Sequence, residues 1–282
     1  MTERVLICTD LDRTLLPNGS APESTQARPL FAALVARPEI TLAYVSGRHK
    51  ALIEDAITEF DLPLPDFVIG DVGTTIYAVS AQGWQPWPQW AEEIAPDWAG
   101  KDHAGLHGLF EQLPGLTLQE SAKQNRFKLS YYLPLDIDLT QLLTNMRSIL
   151  SMHAIKAELI YSVDEPEHIG LLDVLPARAT KFHAVEFLMH QLGIDLDHTV
   201  FAGDSGNDLP VMTSAIKSVL VANASAAVSQ EAKHLAKLHN TEDALYLAQG
   251  GFMGMNGNYS AGLLEGVAHY LPQTQQWVKL HD

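Results

Sequence analysis

The most constraining feature of the sequence is a short apolar run that ends abruptly in acidic residues. Val5–Thr9 is followed directly by Asp10 and Asp12, and turn residues come next at Pro17–Gly19. A run of this length, closed by polar residues, predicts a strand that is buried on both faces. Such strands belong to parallel sheets that helices cover on both sides. The first residues therefore predict an α/β fold.

Further apolar runs repeat this pattern and alternate with segments of helical spacing. The predicted strands are Thr41–Val45, Phe67–Gly70, Ile76–Val79, Gly170–Val174, Thr199–Ala202 and Ser218–Val221. The predicted helices are Thr25–Ala36, Lys50–Phe60, Lys181–Leu192, Asn207–Met212 and Ser260–Tyr270. Alternation of strand and helix predicts a Rossmann-like parallel-sheet core.

The pattern changes between Gly83 and Glu167, where several Trp and Pro residues occur. Phe127–Leu133 and Glu158–Val163 alternate between apolar and polar residues, and Leu139–Met152 is an amphipathic helix candidate. Alternating strands beside a helix predict a small α+β domain with one exposed sheet face. We therefore expect a discontinuous core domain, residues 1–82 and 168–282, and an inserted domain, residues 83–167.

Charge and cysteine content exclude several classes of protein. The 282-residue chain has a formal net charge of −16, which argues against nucleic acid or an anionic membrane as a partner. Its single cysteine, Cys8, lies in the first predicted strand and is expected to be a small buried residue. The chain passes from Glu3 and Arg4 directly into that strand, so we expect no signal peptide and a cytoplasmic protein.

Chemically useful side chains follow most of the predicted core strands. Because ligands bind at the carboxyl ends of parallel strands, these side chains are expected to share one edge of the sheet. The residues concerned are Asp10 and Asp12, Ser46, Asp71, Lys181, and Asp204 with Asp208.

Each of these residue types has a function in phosphate ester hydrolysis. Asp10 could attack phosphorus and form an acyl phosphate, while Asp12 could protonate the leaving oxygen and then deprotonate water. Asp10, Asp204 and a backbone carbonyl would suit Mg²⁺, which prefers oxygen ligands. Ser46 and Lys181 could hold the phosphate oxygens.

Each residue taken singly has a simpler interpretation. Asp-x-Asp at a strand end is commonly a turn, and Ser46 could cap a helix. Asp204–Asp208 could be a turn or part of a calcium loop, although the terminal glutamate of such a loop is missing. Lys181 could be a solvated surface residue. The combination, in this order, favours catalysis.

Four segments together resemble the motifs of the haloacid dehalogenase-like hydrolases in their phosphatase branch. They are VLICTDLDRTLL, YVSGR, ATK and FAGDSGNDLPVM. The position of the insert resembles that of a C2-type cap domain. The similarity to sucrose-phosphate phosphatases extends over nearly the whole chain, through DVGTTIY, RFKLSYYL, LLDVLPARATK and SAGLLEGVAHY.

This resemblance implies a role for each site residue. Asp10 would be the nucleophile and Asp12 the acid and base. The phosphate would be held by Ser46, Gly47, Lys181 and Asn207. Mg²⁺ would be bound by Asp10, the Asp12 carbonyl and Asp204, with Asp208 and Asn207 in support. Substrate contacts are implied for Arg48, Thr75 and Lys128, and Thr75 stands where the family usually has glutamate.

The resemblance implies a Mg²⁺-dependent phosphatase, with sucrose 6-phosphate as the first candidate substrate. Mannosylfructose phosphate and glucosylglycerate phosphate are alternatives because of Thr75. A phosphomutase, or a catalytically silent subunit of a sucrose-phosphate synthase-like glycosyltransferase, would be different functions. We expect a monomer or small homo-oligomer, and a flexible loop at Gly250–Gly262.

Overall fold

The computed structural model describes residues 4–164 and 167–277, and the chain divides into two compact units. The core unit consists of Met1–Pro86 and Lys181–Asp282, and the insert unit consists of Trp87–Thr180. Glu3, on which the expected absence of a signal peptide partly rests, lies outside the described residues.

The elements are numbered in chain order. The first part of the core unit contains β1 (Val5–Thr9), α1 (Ala27–Val35), β2 (Ile40–Val45), α2 (Lys50–Glu59), β3 (Phe67–Gly70), β4 (Thr75–Ser80) and β5 (Gly83–Pro86). The insert unit contains α3 (Pro88–Ile94), α4 (His103–Phe110), β6 (Thr117–Leu118), β7 (Leu129–Leu133), α5 (Leu139–Met152), β8 (Ala157–Asp164) and β9 (Ile169–Pro176). The second part of the core unit contains α6 (Lys181–Leu192), β10 (Thr199–Gly203), α7 (Leu209–Met212), β11 (Lys217–Leu220), α8 (Ala226–His239), β12 (Leu245–Leu247) and α9 (Ser260–Tyr270).

The core unit is built on one eight-stranded sheet, in the order β12-β11-β10-β1-β2-β3-β4-β5. The strands from β12 to β3 are parallel, and β4 and β5 extend the sheet antiparallel. Every residue of β1, β2 and β10 is buried, as expected for strands covered on both faces. The predicted α/β class with a parallel-sheet core is confirmed. None of the helices in the described segments has both the length and the apolar character needed to cross a membrane.

The insert unit has its own antiparallel sheet, in the order β6-β7-β9-β8. Its strand β9 includes Gly170–Val174, which was predicted from the sequence to be a strand of the core sheet. That assignment was wrong, because β9 pairs with β7 and β8 and not with a core strand. Leu172 and Val174 are buried whereas Asp173 is half-buried, so the alternation of a one-faced sheet is present in a mostly apolar run. The insert unit consequently ends at Thr180 and not at residue 167.

The glycine-rich stretch Gly250–Gly262 is a loop up to Tyr259, and its last three residues begin α9. The buried carboxylate of Glu265 accepts hydrogen bonds from the backbone N–H groups of Gln249 and Gly250, at 2.8 and 2.9 Å. A Cβ at Gly257 would lie 2.7 Å from the nitrogen of Gly250, and Gly257 has a φ of +79°. Glycine is therefore required where the two ends of this loop approach each other.

Candidate active site

The site lies at the carboxyl edge of the core sheet, where β1 runs between β2 and β10. Asp10 follows β1, and its backbone N–H donates to the carbonyl of Ala202 in β10 at 2.9 Å. This bond extends the pairing of β1 with β10 by one residue and fixes the backbone position from which the Asp10 side chain extends. The Asp10 carboxylate is buried, with 8% of the side chain exposed.

Lys181 is the first residue of α6 and connects two of the buried carboxylates. Its Nζ lies 2.7 Å from Oδ1 of Asp10 and 2.7 Å from Oδ1 of Asp208, and 3% of its side chain is exposed. Nζ also donates to Oδ1 of Asn207 at 3.4 Å. The strand before Lys181, β9, belongs to the insert sheet and not to the core sheet as predicted. Lys181 contributes to this site as the first residue of α6. Burial lowers the pKa of Lys181, but Asp208 and Asp10 outweigh burial and raise it.

A tight turn after β10 positions Asp204 and Asp208. Oδ2 of Asp208 accepts hydrogen bonds from the N–H groups of Asp204 and Ser205, at 3.2 and 3.1 Å, and Ser205 forms a capping box with it. This reciprocal bonding satisfies donors at the start of the turn. The turn interpretation of Asp204–Asp208 is thus correct, and the same turn brings Asp204 to the edge occupied by Asp10.

Gly203 is the residue that allows Asp208 to lie against β10. A Cβ at Gly203 would meet the Asp208 carboxylate carbon at 2.6 Å, whereas a Cβ at Gly206 would meet nothing within 4 Å. We expect Gly203→Ala to displace Asp208 and to lower the free energy of unfolding by about 1–3 kcal/mol. Urea unfolding of this variant and of Gly206→Ala, the matched control, measures the difference. Equal stabilities would show that the turn accommodates the methyl group.

Asp10, Asp204 and Asp208 form an acid cluster in which one oxygen of each lies within 4.8 Å of the others. The single hydroxyl hydrogen of Thr14 is shared between Asp10 Oδ2 and Asp204 Oδ1, each 3.4 Å from the hydroxyl oxygen. Burial, with the charge of Asp208, outweighs the opposing effect of Lys181 and raises the pKa of Asp10 to about 7. Burial and Asp208 likewise raise the pKa of Asp204, although Arg13 and Thr14 oppose them. Crowded buried carboxylates of this kind are costly unless a cation joins them.

The acid cluster fits a hard divalent cation. Oδ2 of Asp204 is buried and accepts no hydrogen bond from the residues that the structure describes, although Arg13 Nε lies 3.3 Å away in an ion pair. Three converging carboxylates and a buried oxygen without a donor are a donor set that suits Mg²⁺. The carboxylate of Asp12 is outside this cluster, so only its carbonyl remains a predicted metal ligand.

Asp12 is held apart from the acid cluster by a second set of partners. Arg48 Nε and Nη2 contact its two oxygens at 2.8 and 2.5 Å, and Asn18 Nδ2 donates at 2.7 Å. Burial acts to raise the pKa of Asp12, but these hydrogen bonds outweigh it and hold the pKa below its ordinary value. Two carboxylates two residues apart therefore have opposite pKa shifts, raised at Asp10 and lowered at Asp12.

Ser46 follows β2 and is fully buried beside the end of β1. Its hydroxyl accepts a hydrogen bond from the N–H of Arg48 at 3.1 Å. The N-cap of α2 is His49, so the interpretation of Ser46 as a helix cap was wrong. Gly47 is exposed in the same turn, and no contact constrains a side chain there.

The remaining predicted substrate residues are Thr75 in the core unit and Lys128 in the insert unit. Thr75 begins β4, just after a turn in which Asp71 and Val72 both have positive φ. Lys128 belongs to the insert unit, where its Nζ lies 3.9 Å from Asp173 Oδ1. Ser130, which is fully buried, donates to the same carboxylate. Arg13, Thr14 and Asn18 also belong to the site, and no role was predicted for them from the sequence, although all three lie within or just after the first motif.

Three comparisons with known proteins agree on the type of fold and family. The family model described as Sucrose-6F-phosphate phosphohydrolase matches residues 3–271. A protein of Nitrosococcus oceani described as a HAD-like hydrolase is 55% identical over 280 residues, which cover 99% of this chain and 75% of that protein. The mannosylfructose-phosphate phosphatase of Agrobacterium fabrum is 32% identical over 223 residues, which cover 78% of this chain and 83% of that protein.

The solved structures include the sucrose-phosphatase of Synechocystis sp. PCC6803 in complex with sucrose and phosphate. Its TM-score to this chain is 0.68, with 22% identity, covering 95% of this chain and 98% of the other. At this level of identity the likeness concerns the fold.

Proposed function

The chain belongs to the sucrose-6F-phosphate phosphohydrolase family of haloacid dehalogenase-like hydrolases, and from this premise we propose its substrate and mechanism. The resemblance inferred from the motifs is confirmed, and so is the enzyme class, a phosphoric monoester hydrolase that acts on sugar phosphates. We propose that the reaction passes through a phosphorylated Asp10 and that the first candidate substrate is sucrose 6-phosphate.

The proposed nucleophile is a buried carboxylate whose two oxygens are both held. Lys181 contacts Oδ1 of Asp10 and Thr14 donates to Oδ2. Asp10 attacks phosphorus and the bond to the sugar oxygen breaks. Asp12, which Arg48 keeps ionised in the free protein, takes up a proton from solvent before this step and gives it to that oxygen. Water then attacks the acyl phosphate, Asp12 takes the proton of the water, and Asp10 and phosphate are released. The single observation that carries this proposal is the Asp10–Lys181–Asp208 arrangement at the end of β1.

Other residues are proposed to position the phosphate. Ser46, Gly47, Lys181 and Asn207 would hold its oxygens. Asp10, Asp204 and Asp208, with the carbonyl of Asp12, would hold Mg²⁺. When bound, the ion would offset the repulsion between an anionic nucleophile and an anionic phosphate. Arg48, which contacts Asp12, would orient that carboxylate as well as meet the substrate.

The sugar is the finer part of the proposal. A relative that is 32% identical is named for mannosylfructose phosphate, so that compound is the second candidate, and glucosylglycerate phosphate is the third. Thr75 and Lys128 are proposed substrate contacts that would contribute to this choice. Association with a sucrose-phosphate synthase-like glycosyltransferase is a separate proposal, which copurification would test.

Phosphate release from a panel of sugar phosphates, with Mg²⁺ or with chelator, tests the substrate and the cofactor together. We expect sucrose 6-phosphate to give the highest kcat/KM, and we expect chelator to reduce release by at least about a hundredfold. A preference for mannosylfructose phosphate would replace the first candidate. Isomerised sugar phosphate without released phosphate would indicate a mutase, and no turnover of any compound would favour a silent binding subunit.

A further inference from the structure

Arg13, between Asp12 and Thr14, has a backbone conformation that is unusual for its residue type. Its φ is +59°, in the left-handed region, which is unfavourable for residues other than glycine, asparagine and aspartate. Two side chains hold it there. Asn18 Oδ1 accepts a hydrogen bond from the Arg13 N–H at 2.8 Å, and Asn223 Nδ2 donates to the Arg13 carbonyl at 2.6 Å. A strained residue that is fixed from both sides indicates a functional position.

The constrained backbone directs the Arg13 guanidinium to the acid cluster. Its Nε lies 3.3 Å from Oδ2 of Asp204, the buried oxygen that accepts no hydrogen bond within the described part of the chain. The two cations that contact the acid cluster, Lys181 and Arg13, differ in their exposure to solvent. Lys181 is enclosed, with 3% of its side chain exposed, whereas 52% of the Arg13 side chain is exposed.

A polar cavity adjoins Arg13 and gives its side chain room to move. The cavity has a volume of about 360 Å³, and its walls include Arg13, Asn18, Ser20, Asn223 and Tyr259. The guanidinium can therefore leave Asp204 without displacing a packed side chain.

We propose that Arg13 is a resident counter-cation of Asp204, which competes with the divalent ion for this carboxylate and so sets the metal affinity. This inference rests on the proposed metal site. Without the ion, Arg13 offsets one charge of the acid cluster. When the ion binds, Asp204 Oδ2 becomes a ligand and the guanidinium moves into the cavity. The energy of the Arg13–Asp204 pair is lost at that step, so the pair weakens metal binding.

Removing the charge of Arg13 is therefore expected to tighten metal binding. For a half-exposed ion pair the gain is about 1.5- to fivefold in Kd. Arg13→Gln and Arg13→Asn should both show it, because both remove the charge and Asn also suits the left-handed backbone. Arg13→Lys keeps the charge and should bind the metal like the unchanged protein. Raising the salt concentration should reduce the difference, since Arg13 is partly solvated.

Isothermal titration calorimetry with Mg²⁺ alone, in the absence of substrate, tests the inference on the full chain. The matched control is Lys217→Gln, which removes one positive charge at the start of β11, where Lys217 pairs with the exposed Asp197. Tighter binding by Arg13→Gln and Arg13→Asn, but not by Lys217→Gln, supports the inference. Unchanged or weaker binding by both Arg13 variants overturns it.

Asp204→Asn separates this inference from the metal site on which it rests. If Asp204→Asn loses Mg²⁺ binding while the Arg13 variants equal the unchanged protein, only the role of Arg13 is refuted. If Asp204→Asn binds Mg²⁺ as well as the unchanged protein does, the proposed metal site itself is refuted, and the inference with it.

Discussion

Asp10→Asn is expected to reduce phosphate release on the order of a thousandfold or more while the fold persists. The amide has nearly the same shape as the carboxylate, and its oxygen can still accept a hydrogen bond from Lys181. It cannot act as the anionic nucleophile. Burial and Asp208 raise the pKa of Asp10 to about 7, so ionised Asp10 is costly in the metal-free protein above that pH. We therefore expect Asp10→Asn to be at least as stable at pH 8 as the unchanged protein.

Phosphate release and thermal unfolding without metal, measured on the same samples, check both parts of this expectation. Asp55→Asn on the exposed face of α2 is the matched control and should change neither quantity. When the reaction is stopped with acid, the unchanged protein should carry covalently bound phosphate from the substrate, and Asp10→Asn should carry none. Turnover above about one tenth of the unchanged rate in Asp10→Asn would refute Asp10 as the nucleophile.

The core sheet was predictable because its central strands are buried on both faces. Runs such as Val5–Thr9 and Thr199–Ala202 contain few polar residues, so their apolar character identifies them as strands. The strand Phe67–Gly70 has the predicted bounds. The same property misled the assignment of Gly170–Val174. An apolar run predicts a strand, but the partner strands depend on contacts between distant residues, which one run does not encode.

Helix α8 was missed for a different physical reason. Only Ala232 and Ala236 are fully buried in it, and the larger Val228 and Leu235 on the same face are only half-buried. Hydrophobic periodicity is a weak signal when alanine forms the buried face. Helices α5, α6 and α9, whose buried faces include leucine, have the predicted bounds Leu139–Met152, Lys181–Leu192 and Ser260–Tyr270.

The convergence of Asp10 with Asp204 followed from topology, because β1 and β10 are neighbouring parallel strands. Which cation contacts which carboxylate did not follow. Arg48 was predicted to meet the substrate and it contacts Asp12, while Arg13 was given no role and contacts Asp204. Such pairs depend on side-chain conformations and on the left-handed turn at Arg13, and residue spacing carries no information about either.

Lys181→Met is the substitution for which we expect the largest loss of stability. It leaves Asp10 and Asp208 buried without the ammonium that lies 2.7 Å from each of them. Removing one partner of a buried ion pair costs about 3–5 kcal/mol, because the remaining charge is uncompensated. The matched control is Lys217→Met, whose partner Asp197 is 82% exposed, and its cost should stay below about 1 kcal/mol.

The pH dependence distinguishes lost charge compensation from lost packing. The pKa of Asp10 is about 7 in the folded protein, against an ordinary value of 3.8, and loss of Lys181 raises the folded value further. The native state then binds more protons than the unfolded state at pH values between 3.8 and the folded pKa, so its stability falls as the pH rises through this range.

Urea unfolding of metal-free Lys181→Met should show a smaller loss of unfolding free energy, relative to the unchanged protein, at pH 5 than at pH 8. The double variant Asp10→Asn with Lys181→Met should recover part of the deficit at pH 8, since one buried charge is gone. A deficit that is equal at both pH values and unchanged in the double variant would mean that Lys181 stabilises the fold by packing alone.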